Sequence, residues 1–250
     1  MKNAIKEYQR TNIVDVHSHI LPKMDDGSRS VEESLALLSD AYRQGIDTVI
    51  MTPHFYGDRE RPESFLARRE ASLKTLKAAI ASYDKPLPAI CIGAEIAYYF
   101  GMGSSEALPG LCIEGTKCAL IEMPFCAWSR SDVEEIYSAM KNFGITPILA
   151  HIERFIGYGK NLKYLKELAS RDVLLQSNAE FFTDKKTRKK ALKFLKSGLV
   201  KLIGSDCHNA EKRPQIIGDA INIIREELSG EYIKILEGHS ESVLFTAVPV

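Results

Sequence analysis

Neither sign of charge is in excess: 33 Lys and Arg balance 33 Asp and Glu, for a formal net charge of zero. Without a broad cationic field there is nothing for nucleic acid or an anionic membrane to select, so any anion binding is expected to be local. No apolar run approaches the ~20 residues of a membrane span. The opening M-K-N-A-I-K-E-Y lacks a signal-peptide apolar stretch, and the cytoplasm is the expected compartment. The five cysteines, Cys91, Cys112, Cys118, Cys126 and Cys207, form an odd set with no C-x-x-C pair. That argues against a disulfide framework and against a cysteine zinc knuckle, leaving reduced thiols. A Pro/Ser-rich linker and low-complexity segments are also missing, so residues 1–250 are read as one domain. With 45% hydrophobic residues the chain is no candidate for disorder.

What is present is an alternation of helical and strand periods. The clearest helix begins at Ser30, whose spacing to Glu33 fits a capping box; Val31, Leu35, Leu38 and Tyr42 line one face, and Gly45 suits the stop. A glycine at the helix-to-strand join recurs at Gly144 and Gly198. Seven strands are expected: 13–16, 48–52, 89–94, 118–121, 147–150, 173–176 and 200–204. Most are continuous apolar runs, the mark of parallel strands covered on both faces. Seven βα steps suit a closed barrel, although an open doubly wound sheet has the same local pattern.

The chemistry collects just beyond these strands. Strand one runs into Asp15, His17 and His19, strand two into His54, and strand three into Glu95. Strand four leads to Glu122, strand five to His151 and Arg154, and strand seven to Asp206 and His208. Parallel α/β folds gather ligands at the carboxyl ends of their strands, so five of the six histidines converge on one mouth. The sixth, His239, is read as an ordinary surface or core histidine. Imidazoles with carboxylates describe a divalent metal site, and the scarcity of Cys favours Mn²⁺, Fe²⁺ or Zn²⁺ in a catalytic setting. On an extended segment H-x-H points both rings to one side, and D-x-H does the same for Asp206 and His208. About nine candidate ligands exceed the needs of one ion and imply two or three, bridged by a carboxylate. Glu122, two residues before Pro124, has an alternative reading as a loop-fixing group.

Cys207 and Arg213 have the C-x5-R spacing of cysteine-dependent phosphatases, but C-H-N-A-E-K-R contains no glycine to build an anion-cradling nest. If Asp206 and His208 point inward, Cys207 should point away. Arg154 and Arg213 are candidate phosphate clamps at the rim, since guanidinium suits bidentate oxyanion contact. Arg59, Arg61, Arg68 and Arg69 form either a solvated face or a receiver for an acidic peptide.

With H-S-H, T-P-H, G-A-E, A-H-I-E-R and S-D-C-H in this order, the sequence resembles the polymerase-and-histidinol-phosphatase (PHP) superfamily over essentially its whole length. H-S-H-I-L-P-x-M-D-D-G-S and A-H-I-E-R-F look like its bacterial branch of metal-dependent protein tyrosine phosphatases, which accompany tyrosine kinases controlling capsule or exopolysaccharide assembly. The resemblance implies a distorted (β/α)7 barrel with three metals. His17, His19, Glu95 and Asp206 would hold the first ion, Glu95, Glu122 and His151 the second, and Asp26, His54 and His208 the third. Asp26 rather than Asp25 matches the motif. Glu122 stands where many superfamily members have His, which fits the tyrosine-phosphatase branch and favours the harder Mn²⁺, with Fe²⁺ or Zn²⁺ as alternatives.

The activity this implies is hydrolysis of phosphotyrosine by a metal-bridging hydroxide, with Arg154 and Arg213 holding the phosphoryl oxygens and Asp206, His208 or a bound water supplying the proton. The expected partner is a tyrosine-phosphorylated protein such as a bacterial kinase tail. Rival readings are a histidinol-phosphate or other small phosphomonoesterase on the same scaffold, a metal-dependent amidohydrolase, and a barrel that binds a kinase tail without turnover.

Overall fold

The computed structural model describes residues 8–245; residues 1–7, which include most of the segment read above for a signal peptide, and 246–250 lie outside the described residues. Along the chain run β1 (Thr11–Ser18), α1 (Val31–Arg43), β2 (Ile46–Met51), β3 (His54–Phe55), α2 (Pro62–Ala81), β4 (Ala89–Ile92), β5 (Glu95–Ala97) and β6 (Cys118–Glu122). Then come α3 (Arg130–Phe143), β7 (Thr146–Leu149), α4 (Asn161–Ala169), β8 (Leu174–Asn178), α5 (Ala179–Thr183), α6 (Arg188–Lys196), β9 (Leu202–Gly204), α7 (Ile217–Glu227) and α8 (Gly230–Phe245).

All strand pairs are parallel, and the nine strands fill seven positions of a curled sheet. Two barrel positions continue, after a break, past the expected strand ends at Thr52 and Ala94. β2 pairs with β4, and β3 with β5. Between these ladders the backbone stays in register through Gly93 N–H to the Met51 carbonyl (2.9 Å) and Glu95 N–H to the Pro53 carbonyl (3.0 Å). Pro53 has no N–H to give a ladder, which accounts for the first break. The ring closes where β9 meets β1: Asp206 N–H donates to the His17 carbonyl (2.8 Å) and His19 N–H to the Cys207 carbonyl (2.9 Å). The architecture is therefore the expected distorted barrel of seven parallel positions.

The distortion has a local cause. β9 is only three residues long and reaches β1 only at the mouth. Lower down, α8 takes its place: Ser240 Oγ accepts from Val14 N–H (3.0 Å) and Glu237 Oε1 from Asn12 N–H (3.1 Å). Strand N–H groups that β9 leaves unpaired are thus satisfied by side chains of α8, as buried backbone donors require. Strand residues Val14, Val16, Ile50, Leu120, Ile148 and Leu202 form an inner core with Val243 of α8, separate from the larger core under the helices.

Helix ends follow the sequence with one difference. Ser30 caps α1 by accepting from Glu33 N–H, but the Glu33 carboxylate takes Arg29 N–H (2.8 Å) rather than closing a box on Ser30. A reciprocal box is present at Ser129 and Asp132 of α3, where losing the cap would cost about 1 kcal/mol. Gly45, Gly144 and Gly198 all have the left-handed φ expected of helix stops. Among the described residues no helix is long and apolar enough to cross a membrane.

Candidate metal centre

Three histidines are held by one ring nitrogen and present the other. His17 Nδ1–H donates to Gln176 Oε1 (3.2 Å), His19 Nδ1–H to Asp25 Oδ2 (2.7 Å), and His208 Nδ1–H to the Asp206 carbonyl (3.0 Å). Each bond places the proton on Nδ1 and leaves the Nε2 lone pair facing the mouth, the tautomer a metal ligand needs. His17 Nε2 and His19 Nε2 stand 3.1 Å apart, each 3.2 Å from Glu95 Oε2 and 3.5–3.6 Å from Asp206 Oδ1. His54 Nδ1 approaches the same Glu95 oxygen at 3.0 Å.

Glu95 is the hub. Its other oxygen lies 2.8 Å from His151 Nε2, which is also 3.2 Å from Glu122 Oε1. On the outer side Asp26 Oδ1 is 3.3 Å from His208 Nε2 and 3.8 Å from His54 Nε2. Donor atoms of His17, His19 and Glu95, of His54, Glu95 and Glu122, and of His19, Asp26, His54 and His208 each lie within 4.8 Å of one another. All nine residues implied as ligands by the resemblance therefore meet at one mouth. The grouping adds His19 to the outer set and His54 to the set with Glu122. Glu122 faces His151 rather than only bracing the loop before Pro124.

The donor set fits divalent cations. Glu95 Oε2 is buried and has no hydrogen-bond partner in suitable geometry, although three imidazole nitrogens crowd within 3.2 Å of it. Unprotonated Nε2 atoms facing one another at 3.1 Å repel unless a cation or a proton lies between them. In the metal-free centre protons take that role. Burial opposes charging His19, yet its hydrogen bond to Asp25 and the adjacent Glu95 carboxylate raise it to about 10. Burial likewise opposes charge on His151, but Glu122 and Glu95 raise it to about 9. His208 goes the other way, to about 4, through burial and the nearby charges of His19 and Arg213. Burial works against ionised Glu95 and Asp206, but the adjacent His17 holds both well below the usual carboxylate range.

Arg154 and Arg213 lie at the rim, both bound to one carboxylate oxygen. Asp206 Oδ2 accepts from Arg154 Nη2 (2.7 Å), Arg213 Nη2 (2.6 Å) and Asn178 Nδ2 (2.7 Å), while Oδ1 faces the histidines. Arg213 Nη1 also donates to His208 Nε2 (2.7 Å). The two guanidinium groups line a cleft of about 390 Å³ beside the centre, with Lys212 and Pro214. Asp206 and His151 both have positive φ, a strained backbone for non-glycine residues that turns their side chains into the mouth.

Two expectations need correction, at Asp206 and Asp15. Asp206 is left-handed rather than extended, so the alternation argument for D-x-H does not describe its backbone. Asp15 is not in the metal cluster: its carboxylate accepts from Ser205 N–H (2.8 Å) and Gln215 Nε2 (2.9 Å), bracing the loop after β9. Among the arginines read as a solvated face or a peptide receiver, Arg68 pairs with Glu60, Arg69 donates to the Gly93 carbonyl and Arg59 lies over the Tyr56 ring. Cys207 is fully buried, and burial, followed by the charge of Asp15, pushes its thiol well above the ordinary value. It cannot serve as an accessible thiolate.

Sequence reasoning missed the supports. Gln176 accepts from both His17 and His151 N–H (2.8 Å), and its Nε2 donates to Asn178 Oδ1 (3.0 Å). Asn178 in turn holds Asp206. Both stand at the end of β8, the sixth barrel position and the one strand whose polar end was not counted; Q-S-N there was the available signal. Asp25 braces two ligands, taking His19 and His54 N–H (2.9 Å). Gly204 lets this layer close, since a Cβ would come within 2.6 Å of His17 Cβ.

Known proteins resemble the chain over most of its length. Tyrosine-protein phosphatase CpsB of Streptococcus pneumoniae is 33% identical over 239 residues, covering 90% of this chain and 94% of that protein. Tyrosine-protein phosphatase YwqE of Bacillus subtilis is 28% identical, covering 93% and 91%. A crystal structure from work on YwqE and CpsB, described as unique metal-dependent tyrosine phosphatases, matches with a TM-score of 0.83 at 26% identity over 95% of this chain and 96% of the other. A Listeria monocytogenes lactonase, Lmo2620, shares the barrel alone, at 12% identity and a TM-score of 0.59. The family described as capsular polysaccharide synthesis, CpsB/CapC, matches residues 13–244, and the chain belongs to it.

Proposed function

We propose that this chain is a metal-dependent protein tyrosine phosphatase acting on a tyrosine-phosphorylated protein, a bacterial tyrosine kinase of capsule or exopolysaccharide synthesis, with two or three Mn²⁺ ions as its cofactor. The observation that carries the reading is the set of Nδ1-anchored histidines at the mouth, with the Nε2 atoms of His17 and His19 facing Glu95 and Asp206 and that of His208 facing Asp26. His17, His19, Glu95 and Asp206 would hold one ion, Glu95, Glu122 and His151 another, and Asp26, His54 and His208 a third. Bound there, such ions supply a water nucleophile active at neutral pH and neutralise phosphoryl charge.

The residues of the chain do the rest. Arg154 and Arg213, aligned by the shared Asp206 oxygen, present guanidinium N–H groups to the phosphoryl oxygens and stabilise their charge as the phosphorus–oxygen bond breaks. His208, held neutral at pH 7, is suited to be a ligand rather than an acid. A phenolate, whose conjugate acid has a pKa of about 10, leaves with less proton assistance than an alkoxide.

The test is hydrolysis of a phosphotyrosine peptide, with histidinol phosphate as competing substrate. A chelator abolishes turnover of the peptide and Mn²⁺ restores it, Cys207→Ser stays active, and Arg154→Ala retains its metal but turns over slowly. Chelator-resistant activity lost in Cys207→Ser, or a preference for histidinol phosphate, would contradict the reading.

A further inference from the structure

An aromatic side chain stands at the mouth without a structural task of its own. Phe125, three residues beyond Glu122, leaves 51% of its surface exposed, whereas most large hydrophobic residues of the described chain are buried. Its ring lies nearly parallel to that of His151, at 25° and 6.2 Å between centroids, beside the Glu122 and Glu95 carboxylates that His151 approaches. Behind it sits buried Phe155 (5.1 Å), which packs in turn on Trp128 (5.5 Å).

The segment that carries this ring is clamped. Trp128 Nε1–H and Cys126 N–H both donate to the Pro124 carbonyl, at 3.0 and 2.8 Å. Asn161 ties down the far end, accepting from Trp128 N–H (2.8 Å) and donating to the Cys126 carbonyl (2.9 Å). A half-exposed phenyl ring on a floppy loop would be unremarkable. One fixed by five residues over a cluster of ligands is preorganised, and preorganisation favours recognition of a flat apolar partner. The charged rim groups Arg154 and Arg213, by contrast, are engaged with the Asp206 oxygen.

We propose that Phe125 is a specificity-determining platform, its exposed face stacking on the aryl ring of a phosphomonoester whose phosphoryl group lies among the metal ligands. The inference rests on the phosphatase reading for its substrate class, but its test does not depend on turnover. Aryl–aryl contact at such a site favours an aromatic ligand over an aliphatic one by roughly 3- to 10-fold. A residue that only shields His151 from water would give no such discrimination.

The experiment compares binding of phenylphosphonate and ethylphosphonate, neither of which is hydrolysed, to Mn²⁺-loaded protein by calorimetry. Wild type is expected to prefer phenylphosphonate by roughly 3- to 10-fold; Phe125→Ala abolishes the preference with ethylphosphonate affinity and metal content unchanged, and Phe125→Trp restores it. Equal weakening of both ligands in Phe125→Ala, or an unaltered preference, would overturn the proposal. Retained aryl preference in wild type without release of phosphate from a phosphotyrosine peptide would support the platform and defeat the phosphatase reading separately.

Discussion

The inner and outer parts of the candidate metal centre are built differently. His17, His19, Glu95 and Asp206 are buried, and His17, His19 and Asp206 are anchored by Gln176, Asp25, Asn178 or an arginine. On the outer side Asp26 leaves 68% of its side chain exposed and approaches His54 and His208 at 3.8 and 3.3 Å. A ligand fixed by buried hydrogen bonds loses little freedom when it binds an ion, whereas an exposed carboxylate is screened by water and must be ordered. The difference teaches that the ions should not be held alike: the inner one or two should bind tightly and the outer one should exchange.

Glu95→Gln gives the largest break in this comparison, because Glu95 joins both inner sets. It should lose inner-site metal and more than about 100-fold in kcat, measured by metal analysis alongside phosphotyrosine-peptide turnover. Gln176→Ala comes next. By freeing His17 and the His151 backbone it should weaken the tight ions about 10- to 100-fold in a chelator competition, with the outer ion following. Asp26→Asn should be milder, about a fivefold weakening of one ion with the others unchanged. If Asp26→Asn stripped the whole centre, the inner and outer parts would not be separable.

A smaller effect comes from pH. His19 and His151 are raised in the metal-free protein, to about 10 and about 9, above the ordinary imidazole value of about 6.5. Groups raised on folding stabilise fully below the unfolded value, and that contribution is lost as pH rises through the folded value. Metal-free protein should therefore lose thermal stability between pH 7 and 10. Metal must displace those protons, so the increase in Tm on adding Mn²⁺ should grow over the same interval. A metal-induced increase that shrank with rising pH would show that the imidazoles are not the groups displaced.

Much of the barrel was legible because parallel strands declare themselves as apolar runs and their carboxyl ends carry the chemistry. The breaks at Pro53 and Gly93 were not, since a strand that changes partner keeps the same apolar pattern. The candidate ligands were legible as His and acidic residues at strand ends. Their supports were harder to see: Gln176 and Asn178 carry no charge, and neutral amides at a strand end look like ordinary polar residues. Asp25 and Asp26 are adjacent and chemically identical, and only geometry separates the residue that braces His19 from the one that faces His208. Asp206 shows the opposite case, where the orientation was anticipated on an extended backbone and the structure reaches the mouth through a left-handed one.

The central claim is that imidazoles and carboxylates from separate strands form one polynuclear metal centre. Anomalous diffraction from Mn²⁺-soaked crystals tests it most directly. The account predicts strong peaks between His17, His19, Glu95 and Asp206 and between Glu95, Glu122 and His151, with a weaker one at Asp26, His54 and His208. Peaks elsewhere on the surface, with none at Glu95, would contradict it.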